Sequence, residues 1–401
     1  MKRQLMAATL PTLELSRAEQ RAVHDEAWLL IRQTLELETE FYKCDGYIDP
    51  KEWKEVTATD DLHIYRPRKA WIASRDEVHM RGTLYNDGRG WGALSPNGDD
   101  AILGSSTTLS STTSSEEDVL LPPILCAGHV EGTLEDLSYG AFDGDESAWR
   151  IRSAYMKDKF ADSRILATIQ TPTHDEPFSF LGIKWFTTEY PPVVGAFVRQ
   201  RDSLVIEALG TSKDHDGVTF GYYVLHDFRH HKLPELRNQG VIRNKLSICY
   251  ISRQTSPYRM RMYARGRLDI GGNIPPRIGI HIAAVSLTSS ANLVETSYKK
   301  KLAWLVAQQS SQRRRVYSQQ DQSKASSCRS CQRTPRFRPL VSCQVCGHSV
   351  CSKCSVVQKL VVDASTAQVV MRSLSFWYGC VLKAKQLSPV EIARVTIVPS
   401  P

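Results

Sequence analysis

No stretch of this 401-residue chain approaches the ~20 consecutive apolar residues that a membrane-spanning helix needs. The first residues, Met1 to Leu15, lack an apolar run long enough for a secretory leader. These absences predict a soluble intracellular protein, in which paired cysteines read as metal ligands rather than disulfides. Nucleotide fingerprints and nucleophile elbows are missing as well. Gly88-x-Gly90-x-Gly92 has neither the spacing nor the strand-to-helix setting of a dinucleotide site. Acid is scarce at one end. Residues 296–401 hold 17 Lys and Arg against three acids, Asp321, Asp363 and Glu391, for a net +14. Residues 1–295 keep the other 34 bases and 40 acids, a net −6. A basic end on a mildly acidic body suits an anionic partner, a phospholipid surface or nucleic acid. Part of the excess, such as Arg329, Arg333 and Lys353, would offset thiolates at short range.

What is present reads as helix, many strands, then helix. Residues 17–45 place Val23, Ala27, Leu30, Ile31, Leu35 and Leu37 near helical spacing. Trp53 to Trp91 reads as short strands with turns at Asp60-Asp61 and Asp87-Gly88. Residues near 98–123 are too rich in Ser, Thr and acid to pack, and read as a surface insert. Strand-like runs resume at Ile165–Ile169, Leu204–Ala208, Tyr222–Leu225, Leu246–Tyr250 and Arg259–Tyr263. A long helix is expected over about Ile280–Gln309, with Val294, Tyr298, Leu302, Leu305 and Val306 on one face. Residues 310–325, with Arg313-Arg314-Arg315, read as a basic linker.

Several phrases carry a resemblance: Trp53 followed by Ile64-Tyr65-Arg66, then Gly132-Thr133-Leu134-Glu135-Asp136, then Arg201-Asp202 before a strand ending Glu207-Ala208-Leu209-Gly210. With the terminal amphipathic helix, they resemble a START-type lipid-binding domain over residues 17–309, similar to oomycete START/FYVE proteins. That resemblance implies an α+β helix-grip fold, in which a curved antiparallel sheet wraps a long C-terminal helix around an apolar cavity. It implies a lipid or other apolar ligand, whose contact residues stay unnamed beyond apolar strand faces.

Seven of the ten cysteines fall between Cys328 and Cys380. They form Cys328-x2-Cys331, Cys343-x2-Cys346 and Cys351-x2-Cys354, with Cys380 alone. Each Cys-x2-Cys turn can present two thiolates to one tetrahedral zinc, and so short a segment cannot bury a core large enough to fold without metal. A complete four-thiolate site leaves no position for water, so the metal's role is structural. Order and spacing resemble a FYVE-type finger over 326–386, with a C-terminal tail at 387–401. The resemblance implies a cross-brace in which Cys328, Cys331, Cys351 and Cys354 hold one zinc, while Cys343, Cys346 and Cys380 belong to a second. The second lacks its fourth ligand, because Trp377 replaces a cysteine, and His348 is the candidate substitute. The family's phosphatidylinositol 3-phosphate run becomes Pro339-Leu340-Val341-Ser342, with no side chain able to pair with a phosphate. Arg336 and Arg338 retain a non-specific attraction to anionic lipid.

The expected function is thus binding and adaptor work without enzymatic chemistry, in the cytoplasm and peripherally on endosomal membranes, with membrane and protein contacts made through the finger. Two alternatives stay open: a RING-like ubiquitin ligase, from Cys346-x-His348-x2-Cys351-x2-Cys354, and a protein-interaction scaffold that carries no lipid. Nucleic acid is disfavoured, since no recognition-helix signature accompanies the basic excess. His226, His230 and His231 with Asp227 could be drawn as a metal cluster, but the segment before Pro234 reads as a solvated polar turn. Arg201, Asp202 and Glu207 are candidates for either a buried ion pair or a strand-edge salt bridge.

Overall fold

The structure, a computed structural model, describes residues 7, 10–68, 123–158, 160–188, 199–272, 276–316, 326–334, 339–365 and 369–398. The expected strands and turn after residue 68, nearly all of the expected insert, and Arg336 and Arg338 lie outside the described residues.

Helix α1 (Arg17–Lys43) starts where Ser16 accepts a hydrogen bond from the Glu19 amide and Glu19 reaches back to the Ser16 amide. This reciprocal cap satisfies two amides that the first helical turn leaves unpaired. Val23, Ala27, Leu30, Ile31 and Thr34 then recur at helical spacing and are buried.

Ten strands form one sheet: β1 (Trp53–Thr59), β2 (Leu62–Pro67), β3 (Ile124–Glu131), β4 (Phe160–Gln170), β5 (Phe180–Thr188), β6 (Arg201–Lys213), β7 (Thr219–Asp227), β8 (Ile242–Arg243), β9 (Lys245–Ser256) and β10 (Arg259–Asp269). Their order is β1-β2-β3-β10-β9-β7-β6-β5-β4, antiparallel throughout, with the short β8 added parallel to β6. The five runs expected as strands lie in β4, β6, β7, β9 and β10. Strands β3 and β5 were not anticipated.

Period-two alternation divides the sheet's side chains between two cores. Leu204, Ile206 and Ala208 of β6 face α1 together with Ile183, Trp185, Val224 and Ile251. Leu209, Phe180, Ile248, Tyr250, Met260 and Met262 face the other way. They meet α2 (Leu134–Ala141), α4 (Pro276–Thr288) and α5 (Leu293–Val316), with Ala148 and Met156 of α3 (Glu146–Met156) packed alongside. A large antiparallel sheet closed by C-terminal helices is the arrangement expected of a helix grip. Helix α2 crosses α5 closely, because a Cβ on Gly140 would collide with the Leu293 carbonyl oxygen.

Two expectations about the C-terminal helix need correction. It is not one helix from about 280: a 3-10 turn over Ser289–Asn292 separates α4 from α5. The hydroxyls of Thr288, Ser289 and Ser290 donate back to the carbonyls of Val285, Ser286 and Leu287, a local competitor to regular helix. Nor does α5 stop near Gln309, since it runs to Val316 and takes in the first seven residues of the expected linker, 310–316. Gln and Arg propagate a helix well without any apolar stripe.

The finger is docked rather than tethered. It contains two small ribbons, β11 (Val341–Ser342) with β12 (Ser349–Val350) and β13 (Ser355–Asp363) with β14 (Val370–Trp377), followed by α6 (Tyr378–Gln386). Its Val345, Leu360, Phe376 and Ala384 share a core with Tyr155 of α3 and with Leu302 and Leu305 of α5. The Val361 amide donates to the Tyr155 hydroxyl at 3.0 Å. Buried Lys301 joins Asp136 of α2, at 2.7 Å, to the carbonyls of Lys385 and Leu387 at the end of α6. The expected tail folds as α7 (Pro389–Thr396), capped by Ser388 with proline at its start. Ile392 and Ala393 of α7 pack on Tyr139 and Phe178 of the body.

Truncating Leu305 to alanine should cost about 2–5 kcal/mol, as for other buried leucines. It should also speed amide hydrogen exchange in β13 and β14, measured by mass spectrometry. Unchanged exchange there would mean that the finger folds without the shared core.

Candidate metal centre and buried charge cluster

The paired cysteines meet in alternation. Cys328, Cys331, Cys351 and Cys354 bring four sulfurs within 4.8 Å of one another, and Cys343, Cys346 and Cys380 bring three together likewise. Two knuckles share one turn. The Gln332 amide donates to the Cys328 carbonyl and the Gly347 amide to the Cys343 carbonyl, both at 2.8 Å. Gln332 and Gly347 adopt φ of 60° and 76°, a conformation natural to glycine and costly for glutamine.

The first cluster fits zinc. Its Cys331 and Cys351 sulfurs lie 3.8 Å apart, and a zinc–sulfur bond of about 2.3 Å gives a tetrahedral edge of about 3.8 Å. Burial pushes the Cys328 thiol up, but amide donors at Cys331, Cys351 and Ser330 outweigh it and bring it down to about 6. Thiolate is the form that binds metal. At Cys343 the amides of Trp377, Cys346 and Val345 likewise overcome burial and lower the thiol.

His348 lies outside both clusters. Its carbonyl accepts the Cys343 amide at 3.0 Å, and its side chain is exposed. Val341 and Ser342 form β11 and pair with Val350 and Ser349.

A second arrangement of charged groups sits on the sheet's helix-covered face. Lys184 of β5 is fully buried and donates to the Asp143 carboxylate at 2.5 Å, the Asp143 carbonyl at 2.9 Å and the Glu207 carboxylate at 2.8 Å. Arg152 of α3 donates to the other Asp143 oxygen at 2.7 Å. The Lys184 ammonium also stands 4.8 Å from the Trp149 ring and 4.7 Å from that of Phe180. Burial and the neighbouring Asp143 charge push Glu207 up to about 8, against the opposing pull of Lys184. Asp143 goes the other way: burial resists, but Lys184 and Arg152 hold it well below the usual carboxylate range. On α3, one turn apart, the Trp149 indole nitrogen and the Ser153 hydroxyl are buried without a hydrogen-bond partner among the described residues. Lys300 of α5 caps the end of α2 by donating to the carbonyls of Tyr139, Gly140 and Phe142, and burial lowers it to about 7.

Of the three charged residues singled out by sequence, only Glu207 belongs to this cluster. Asp202 pairs with Arg243 at 2.7 Å and accepts the Trp185 indole at 2.8 Å, while Arg201 donates to the carbonyls of Ile270, Arg199 and Gly271. Lys184, Asp143 and Arg152 were missed, because their meeting depends on strand register and helix placement. The segment expected as a solvated histidine turn is partly buried. His226 contacts Glu26 of α1 at 3.0 Å and Ser247 at 2.9 Å, and His230 contacts Glu19 at 3.4 Å. These histidines fasten α1 to the sheet, and no metal-type cluster includes them among the described residues. A cleft of about 490 Å³ opens at the edge strand β4, lined by Leu13, Leu15, Gln20 and Ile165 to Ile169, away from the charge cluster.

No family model and no curated protein matches this chain. Among solved structures, human StAR-related lipid transfer protein 5 is 13% identical with a TM-score of 0.41, covering 69% of this chain and 97% of that one. Human STARD10 is 11% identical with a TM-score of 0.38, covering 66% and 81%. A STAR-related lipid transfer protein fragment from Xanthomonas axonopodis is 13% identical with a TM-score of 0.34, covering 61% and 96%. At such scores the likenesses carry no functional argument, and the helix-grip description rests on strand order and on which helices cover which face.

Glu207 makes stability depend on pH. With its folded value raised to about 8, it keeps a proton in the fold that the unfolded chain releases near its ordinary carboxylate value. The folded state therefore binds more protons between about pH 5 and pH 8, and stability falls as pH rises through that window. In Glu207→Gln the urea midpoint should fall less over this window than in the wild type. An equal fall would show that Glu207 is not its source.

Proposed function

We propose that this protein binds a lipid or similar amphipathic apolar molecule inside the helix grip and uses the docked finger as an adaptor. The observation that carries the reading is the charge cluster on the grip's inner face. Removing ions from water costs several kcal/mol each, and apolar residues of similar volume are often as stabilising or more so. Lys184, Asp143, Glu207 and Arg152 are thus poor choices for stability alone. Beside them, the Trp149 indole, unpartnered among the described residues, suits a ligand's polar head, and the apolar side chains of Phe180, Leu209, Tyr223 and Tyr250 in the same core suit its tail.

The finger's role is proposed from its structural zinc and its surface charge, as a FYVE-like cross-brace. Arg329, Arg333, Lys353, Lys359, Arg372, Lys383 and Lys385 are exposed on it. Each base near an anionic membrane contributes up to about 1 kcal/mol. Headgroup reading is not part of the proposal, since β11 offers no side chain to pair with a phosphate. Nor is covalent chemistry, since a four-thiolate zinc has no open position for substrate.

Native mass spectra of the intact chain purified from a eukaryotic host should show a lipid-sized adduct. Trp149→Phe, which removes one donor and keeps the aromatic bulk, should weaken ligand retention about three- to tenfold, the range for one neutral hydrogen bond. Absence of any adduct after lipid loading would favour a scaffold filled by its own side chains.

A further inference from the structure

The second thiol cluster does not fit a closed structural zinc. Structural zinc takes four ligands, whereas Cys343, Cys346 and Cys380 are joined by no fourth His, Cys, Asp or Glu among the described residues. Trp377 holds the sequence position where the FYVE resemblance would put a further cysteine, and its ring fills the space beside Gly379, so that even a Cβ there would collide with it.

This half of the finger also shares an apolar core with the body. Cys343 and Cys380 are buried among Val345, Leu360, Phe376 and Ala384, against Leu302 and Leu305 of the body. What remains is three sulfurs within 4.8 Å of one another, two of them, Cys343 and Cys380, buried. Soft thiolates select soft ions, and a cuprous ion accepts three sulfurs in a plane without a fourth ligand.

We propose that Cys343, Cys346 and Cys380 form a three-thiolate site for a soft monovalent ion of the cuprous class, distinct from the four-thiolate zinc site. Binding is an exchange without redox change. Three S–H groups release three protons, and three sulfur–metal bonds form. The proposal rests on reading the paired cysteines as metal ligands, and the zinc content of the first cluster tests that reading separately.

The test uses the full chain, purified anaerobically and loaded with zinc, then titrated with cuprous ion buffered by bicinchoninate. One copper per chain should be drawn from the chelator while one zinc is retained, and copper X-ray absorption should give three sulfur neighbours. Cys380→Ser should lose that copper and keep its zinc. If the variant does not fold, the wild-type stoichiometry and sulfur count decide alone. Two zincs that resist buffered copper, or copper held by only two sulfurs, would overturn the proposal. Copper on three sulfurs in a chain with no zinc would support it only if Cys380→Ser loses that copper, and would overturn the zinc reading of the first cluster.

Discussion

Helix α5 is the element on which both halves of the molecule depend. Val294, near its start, packs on the sheet's inner core, Lys300 closes the end of α2, and Leu302 and Leu305 enter the core of the finger. Lys301 concentrates these demands in one side chain. Its ammonium is held by Asp136 on one side and by the last carbonyls of α6 on the other, with Ser297 donating to the same Asp136 oxygen. A buried lysine is tolerable only when such partners replace water, so α2, α5 and α6 are constrained to one arrangement.

The outer face of the sheet obeys a similar rule. Glu38, buried near the end of α1, is matched by Arg253 and Arg261 from adjacent strands, and His226 ties Glu26 to Ser247. Helix α1 is therefore fixed by apolar spacing along its length and by charge matching toward its end. The inner face differs. There Lys184 and Arg152 share two carboxylates within a largely apolar core, and the Trp149 indole nitrogen on α3 has no partner among the described residues.

Much of the fold was legible because periodicity is a local property. Val23, Ala27, Leu30 and Ile31 announce α1, and five strands appear as β-branched and aromatic runs between turn residues. Strand β5 was not legible. Phe180 to Phe186 is buried on both faces, so it lacks alternation, and Gly182 and Lys184 interrupt its apolar run. The grouping of the cysteines followed the FYVE resemblance, and the missing fourth ligand was visible in Trp377. The docking of the finger was hidden. Val345, Leu360 and Phe376 have the composition of a small finger's own core, and nothing in their order says that Leu302 and Leu305 complete it. Likewise Glu207 was noticed, but its pairing with Lys184 is set by a strand register that only the assembled sheet defines.

The docked finger has a geometric consequence. A flexible tether would give a protein a local concentration near whatever its finger touches, with all orientations open to the other domain. Here the finger is seated on the same helix that closes the grip, so any contact the finger made would set the attitude of the sheet as well. Attachment becomes aiming: the packing between Tyr155, Leu305 and Leu360 would set the angle at which the sheet meets whatever the finger touches.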